Sequence, residues 1–272
     1  MTAESTPEYD GLDVPALRAL LARRDQALAD LAATQDELLR AVSHDLRAPL
    51  RHITSYGPLV RELIDEATAA GSLTAEASEE ALAFLATMDQ SARRMGRMLD
   101  GLLTLSRAAR APLQPTTLDV QALVAEARTA LAGAAEGRAV QWSVDVRGVA
   151  LRGDAALLRQ LLAELLRNAL QFTAGAAPAC IAVVAEHLPG GGARLQVRDN
   201  GSGFDPARAG VLFGIFQRLH RDADQAGVGT GLATARTIVQ RHGGRIAIAA
   251  QPGAGCTVTI DWPAEAVAGA GD

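Results

Sequence analysis

His44 stands beside Asp45 in the run Ser43-His44-Asp45-Leu46-Arg47-Ala48-Pro49-Leu50. Imidazole is the side chain whose ordinary pKa lies nearest neutrality, so a neutral ring nitrogen can attack phosphorus at cellular pH. Asp45 can hold the other ring nitrogen. The dipeptide alone also describes a surface histidine that happens to precede an aspartate. It gains meaning from two glycine-rich blocks far downstream. Asp199-Asn200-Gly201-Ser202-Gly203-Phe204 follows a strand-like run, and Gly227-Val228-Gly229-Thr230-Gly231-Leu232 opens a helical run from Ala233 to His242. Glycines at alternate positions clear side chains from where a phosphate chain must approach the backbone, and a helix N-terminus offers free N–H groups to an anion. Turns are glycine-rich for conformational reasons too. The order of the three blocks, more than any one of them, points to a nucleotide site.

In that order the chain resembles the bacterial sensor histidine kinases of the two-component type. His44 to Leu50 looks like the H box, Leu161 to Thr173 the N box, Asp199 to Phe204 the first glycine box, Phe213 to Arg218 the F box, and Gly227 to Leu232 the second glycine box. The likeness runs from about Leu38 to Trp262. The wording of Ser-His-Asp-Leu-Arg-Ala-Pro-Leu-Arg-His-Ile and Ile-Phe-Gln-Arg-Leu-His-Arg is most similar to phytochrome-like members. The resemblance implies ATP and Mg²⁺ as cofactors, His44, Asp45 and Arg218 as the catalytic groups, and nucleotide contacts from Asn168, Gln171, Asp199, Gly201, Gly203, Gly227, Gly229, Gly231 and Leu232. It makes Asn168 a metal ligand. Glu164, four residues earlier on the same helical face, is a second oxygen donor suited to a hard cation.

Two positions depart from the family's usual pattern. Glu164 stands where asparagine is common, and it restores the Glu-x-x-x-Asn spacing of the related hydrolytic ATPases, so it reads either as a water-orienting group or as an extra Mg²⁺ ligand. Gln171 replaces a common lysine and brings no charge to the phosphates. Asp199, a carboxylate at a strand end, is an acceptor suited to the exocyclic amine of adenine, with a turn-starting aspartate as the plainer reading. From Asp205 to Ala226 the chain resembles an ATP lid, anchored by Phe213 and Phe216. There the Arg218 guanidinium would reach the γ-phosphate.

The implied function is autophosphorylation of His44 and transfer to an aspartate of a response regulator receiver domain, docked near Arg51, His52 and Tyr56. Family members that also dephosphorylate the regulator carry threonine or asparagine one helical turn after the histidine. Ala48 occupies that position and cannot orient a water, so weak phosphatase activity is expected. The alternatives are a dimeric phosphotransfer scaffold with a degenerate ATP domain, a stand-alone ATPase, and a coiled-coil interaction module.

Composition sets the outer bounds. The chain has 272 residues, 49% hydrophobic and 21% charged, enough for two modest globular domains. Its net charge of −5, with no basic tail, argues against nucleic acid as main partner. All 26 basic side chains are arginine. Two cysteines, Cys180 and Cys256, with no metal-ligand spacing, fit a reducing cytoplasm. No apolar run reaches the length of a membrane span. The chain also reads as a fragment of a larger protein, with a sensor domain or partner upstream.

The elements that must carry these residues follow from periodicity. Residues 1–16 are polar. From Leu17, the positions Leu21, Leu28, Leu31, Leu38 and Val42 recur in steps of three and four if Arg24 and Gln35 are counted as polar members, which reads as a coiled-coil lead-in or as a single amphipathic helix. A helical hairpin follows, with a connection near Ala69–Ala77 and a second helix near Ser78–Arg107, whose apolar side holds Leu82, Leu85, Met88, Met95, Met98, Leu99, Leu102 and Leu105. Residues 17–107 thus form an all-α hairpin able to close a dimeric four-helix bundle. Residues 108–115 read as a linker. Alternating helix and strand patterns over 116–263 predict an α+β sandwich of the kind shared by histidine-kinase, topoisomerase and chaperone ATPases, and 264–272 read as a disordered tail.

Overall fold

The apolar stripe from Leu157 to Leu170 buries one whole side of a helix, and that burial fixes the centre of the fold. The computed structural model describes residues 42, 46–67, 69–71, 75–146, 148–217 and 227–268. The chain divides into compact units at residue 48. Of the first unit only Val42 and residues 46–48 are described, all helical; the expected lead-in from Leu17 lies outside the described residues.

Helices α1 (46–67) and α2 (Ala75–Arg110) form the hairpin. Tyr56 of α1 stacks between His52 and Phe84 of α2, with ring centroids 5.8 and 5.1 Å away. His52 Nδ1 lies 3.3 Å from Ser91 Oγ. The inward positions of α2 run Phe84, Met88, Ser91, Met95, Met98, Leu102, Leu105, in steps of four and three. Leu82, Leu85, Leu99 and Leu103 stay exposed, as do Leu50, Leu59 and Ile64 of α1. The apolar side expected of α2 is therefore two stripes, one used within the chain and one left open to solvent.

Beyond the hairpin come β1 (Pro115–Asp119), α3 (Val120–Ala130), β2 (Val140–Asp145), β3 (Ala150–Asp154), α4 (Ala155–Phe172), β4 (Ala179–His187), β5 (Ala193–Asp199), α5 (Gly231–Arg241), β6 (Arg245–Ala250) and β7 (Cys256–Trp262). The main sheet has the order β2-β4-β5-β7-β6, parallel between β2 and β4 and antiparallel elsewhere. Its strands alternate: Ile181, Val183, Ala185, Leu195, Val197, Val258 and Ile260 face the core with α3, α4 and α5. Arg194, Gln196, Thr259 and Asp261 share the open face, where Arg194 pairs with Asp261 at 2.7 Å and Gln196 donates to Thr259 at 3.1 Å. This is the expected α+β sandwich behind a helical hairpin.

Three local expectations change. The linker shortens, because α2 continues to Arg110 and β1 begins at Pro115; a two-stranded sheet of β1 and β3, antiparallel from Pro115↔Asp154 to Asp119↔Ala150, was not foreseen. Its strands are short and mostly exposed on β1, so they carry little apolar alternation. The second hairpin helix starts at Ala75, inside the expected connection. The segment expected to be frayed is ordered through Ala268: a 3-10 turn spans Ala264–Ala266, Val267 bridges Leu151, and Ala268 N–H donates to Ala150 O at 3.0 Å. Ala266 is buried in the core there, which the small-residue composition concealed.

Helix α4 is tied at both ends. Asp154 Oδ1 accepts from the N–H groups of Ala156 and Leu157 at 3.0 and 3.1 Å, a side-chain N-cap. Burial pushes the Asp154 carboxyl up, but N–H donors from Leu157, Gln114 and Ala156, with His242 nearby, outweigh it and hold the group below its ordinary value. At the other end Arg138 donates to Leu170 O and Thr173 O, both at 2.8 Å, placing a cation on the helix C-terminus. Hydrogen bonds from a charged donor contribute about 1.5–3 kcal/mol each, so Arg138→Ala, which removes two, should lower stability by about 3 kcal/mol or more. Urea unfolding should show a lower midpoint with an unchanged slope.

Candidate active site

Burying the leucines of α4 forces its polar residues onto the opposite edge. Glu164, Asn168 and Gln171 recur there at intervals of four and three, so they share a face. The face meets the start of α5. A methyl group placed on Gly231 would lie 2.8 Å from Glu164 Oε2 and 3.8 Å from Asn168 Nδ2. Two predicted oxygen donors and the second glycine box are thus brought together from positions more than 60 residues apart. The Glu164 side chain is 13% exposed and pairs with Arg167 at 2.7 Å, whose side chain is 51% exposed.

Asp199 ends β5 on the core side of the sheet, hydrogen-bonded between β4 and β7. Its Oδ1 accepts the Gly201 N–H at 2.9 Å. Burial pushes the carboxyl above its ordinary value, and N–H groups of Gly201 and Cys256 offset part of that. Cys256, opposite Asp199 in the register, is pushed up to about 12, first by burial and then by the Asp199 charge. It is a neutral thiol at physiological pH, not a nucleophile.

The glycines answer to more than a ligand. A methyl on Gly201 would lie 2.5 Å from Phe172 O, at the end of α4. Gly203, with φ +60, would place one 1.9 Å from Gln251 O. In the second box, a methyl on Gly229 would meet Gln217 O and Phe216 C at 2.8 Å, one on Gly227 would meet nothing among the described residues, and Gly231 faces the polar side of α4. The first box is therefore glycine-rich because the protein's own backbone crowds it. Gly231 is small because the Glu164 side chain approaches it, and among the described residues nothing lies close to Gly227. Phe216 is buried, adopts φ 61 and donates its N–H to Gly229 O at 2.9 Å, which ties the F box to the second glycine box. Leu232 is half-buried against the core.

Three contacts that sequence reasoning missed hold α5 in place. His242 Nε2 accepts the Asp154 N–H at 3.0 Å while Nδ1 donates to Ile238 O at 2.7 Å, so one imidazole links the end of α5 to the start of α4. Arg241 donates to Ala108 O and Ala111 O at 2.7 and 2.5 Å, and a methyl on Gly101 of α2 would strike Thr230 Oγ1 at 2.6 Å. Nothing local in sequence marks these pairs, which are 88 to 133 residues apart. The Gly243-Gly244 pair marks only the helix end.

His44, Asp45 and Arg218 lie outside the described residues. Among the described residues no three His, Cys, Asp or Glu side chains converge to hold a metal ion unaided. Glu164 and Asn168 fit a cation such as Mg²⁺, which keeps few protein ligands and takes the rest from water and phosphate. A recess of about 340 Å³, lined by Gln141, Ser143, Cys180, Arg198, Asp199 and Asn200 among others, takes in Asp199 but neither Asn168 nor Gly231.

Comparison with known proteins agrees with this arrangement. Residues 34–110 match the His Kinase A (phospho-acceptor) domain, and residues 153–266 match the histidine kinase-, DNA gyrase B- and HSP90-like ATPase. The methanogenesis regulatory histidine kinase FilI of Methanothrix harundinacea is 30% identical over 231 residues, 85% of this chain and 25% of that protein. The phosphate regulon sensor protein PhoR of Pseudomonas aeruginosa is 30% identical over 254 residues, 92% of this chain and 54% of that protein. The chain thus spans between a quarter and about half of these relatives. Phytochrome-like proteins of Synechocystis and Nostoc match at 28% and 30%, so identity does not set them apart from other sensor kinases. Full-length ShkA, solved in complex with AMPPNP, shares the fold with a TM-score of 0.55 and 24% identity over 86% of this chain and 47% of that one.

Because burial holds the Asp199 carboxyl above 3.8, the folded chain keeps that proton more tightly than the unfolded chain, and stability falls as pH rises from 3.8 through the folded value. Ionised Asp199 therefore destabilises the protein at neutral pH. Asp199→Asn should abolish adenine-nucleotide binding while leaving the melting temperature unchanged or raised by about 1–3 °C, a trade expected at a functional site. Thermal melts paired with nucleotide titration would check both halves.

Proposed function

The chain belongs to the two-component sensor histidine kinases, and we propose that it binds ATP at the α4–α5 face, phosphorylates its own His44 and passes the phosphoryl group to an aspartate of a response regulator. The observation that carries this reading is the convergence of Glu164 and Asn168 on Gly231, with Asp199 enclosed at the neighbouring strand end. Asp199 accepts a hydrogen bond from the adenine amine. Gly227, with no described atom close to it, leaves room for the phosphate chain ahead of α5, whose opening N–H groups favour anions. Mg²⁺, with Asn168 and Glu164 as its protein ligands, would neutralise charge on the phosphates. The His44 ring nitrogen forms a bond to the γ-phosphorus as the bond from that phosphorus to the β,γ-bridging oxygen breaks, and ADP leaves. Asp45 holds the second ring nitrogen and Arg218 adds a guanidinium at the γ-phosphate.

The exposed stripe of Leu82, Leu85, Leu99 and Leu103 on α2, with Leu50 and Leu59 exposed on α1, supports a homodimer, since a second hairpin would cover such apolar surface. Among the described residues no helix is long and apolar enough to cross a membrane. ATP and a receiver domain are cytoplasmic, which is the compartment we propose for these reactions, with input from a sensor domain or partner. His52 and Tyr56, suggested as regulator contacts, are partly engaged within the hairpin by Ser91 and Phe84, which leaves Arg51 the freest of the three.

His44→Ala should abolish acid-labile, base-stable labelling from γ-labelled ATP while nucleotide binding persists. Retained label would refute His44 as the acceptor, and absent label in the wild-type chain would favour a degenerate ATP domain. The methyl group of Ala48 neither donates nor accepts a hydrogen bond. Purified phospho-regulator should accordingly decay at nearly its own rate when the wild-type chain is added without ADP, and faster with Ala48→Thr.

A further inference from the structure

Helix α5 begins without a cap of its own. Thr230 at its N-cap makes no side-chain hydrogen bond to the helix, and its first turn holds no acidic residue. The negative group facing that turn comes from α4. Glu164 Oε2 is the nearest atom to the space above Gly231, ahead of Asn168, and its side chain is largely enclosed. A fixed negative charge thus stands where the glycine box and the helix opening would otherwise invite phosphate. Arg167 donates to that same Oε2 at 2.7 Å and offsets part of its charge, but the Arg167 side chain is half exposed, so its charge is screened by solvent more than that of the largely enclosed carboxylate.

We propose that Glu164 is a charge gate that makes this site select metal-loaded ATP over free ATP. The proposal rests on the α4–α5 face being the nucleotide site. Free ATP would bring its phosphate charge against a carboxylate of the same sign in a partly enclosed space, where repulsion is poorly screened. With Mg²⁺ between them, the same carboxylate becomes an attractive oxygen ligand. A neutral amide at this position would favour neither state so strongly. The residue that strengthens binding of the productive complex therefore also rejects the unproductive one, and discrimination comes as much from repulsion as from attraction.

The test measures binding, not turnover. Calorimetric titrations would use the whole chain carrying His44→Ala, so that no phosphoryl transfer consumes the ligand, with ATP in excess EDTA and ATP in excess Mg²⁺. Replacing Glu164 by Gln should tighten binding of metal-free ATP by about tenfold or more, the scale expected from removing one nearby like charge. The ratio of the two dissociation constants should shrink accordingly. Asn168→Ala should weaken the Mg²⁺ arm without tightening the EDTA arm. The Glu164→Gln effect should persist in an Arg167→Gln background, which separates lost repulsion from an arginine set free to reach phosphate. Glu164→Asn provides a second neutral variant if Glu164→Gln fails to fold. Unchanged or weaker EDTA binding in the neutral variants would overturn the gate, as would tightening that disappears with Arg167→Gln. A parent His44→Ala chain that binds ATP in neither condition would instead refute the nucleotide site itself.

Discussion

Helix α5 is the element on which the site and its surroundings depend. Its C-terminal end is held by two charged or polar side chains, Arg241 on the carbonyls of Ala108 and Ala111 and His242 on the Asp154 N–H. At its N-terminal end Thr230 fits against Gly101 of α2, and Gly231 abuts Glu164. A shift of α5 would disturb the hairpin, the cap of α4 and the second glycine box together. Phe216 adds the F box to the same group through Gly229. The constraint is geometric: small residues at Gly101, Gly229 and Gly231 allow close approach, and the polar anchors at the far end fix the helix along its axis.

The site is assembled at some cost to the fold. Asp199 is enclosed and burial favours its protonated form, yet the adenine contact proposed for it needs its carboxylate. Phe216 accepts a left-handed backbone conformation, strain of about 1–3 kcal/mol, that its burial and its bond to Gly229 sustain. Glu164 holds a carboxylate, 13% exposed, next to a helix opening. These are departures from the otherwise consistent packing of α4 and the sheet, and they collect where a ligand would supply the missing balance.

Much of this was legible in the amino-acid sequence for simple reasons. The strands β6 and β7 alternate with period two, and α4 carries apolar residues with period 3.6, so both announce themselves within a short window. The order of the H, N and glycine boxes likewise survives in one dimension, and it fixed the family, the two-part architecture and the identity of Asp199 and Asn168 as site candidates. The β1–β3 sheet and the ordered stretch from Ala264 to Ala268 escaped, because their residues pair at long range with little periodicity of their own.

Other matters were decided by tertiary structure alone. Periodicity grouped the apolar residues of α2 on one side, but only tertiary packing separates Met88, beside Gly57 of α1, and the buried Leu105 from Leu82 and Leu99, left exposed. The glycine spacing suggested room for phosphate, yet Gly201 and Gly203 are required by the carbonyls of Phe172 and Gln251. His242 and Arg241 carry no local signature, since a hydrogen bond across 88 or 133 residues leaves no trace in spacing. The sequence by itself determined which residues have the chemistry, because side-chain type and local period are written in it. The tertiary structure decided what each charge faces, because Glu164 and Gly231 become neighbours only when two helices pack on one sheet.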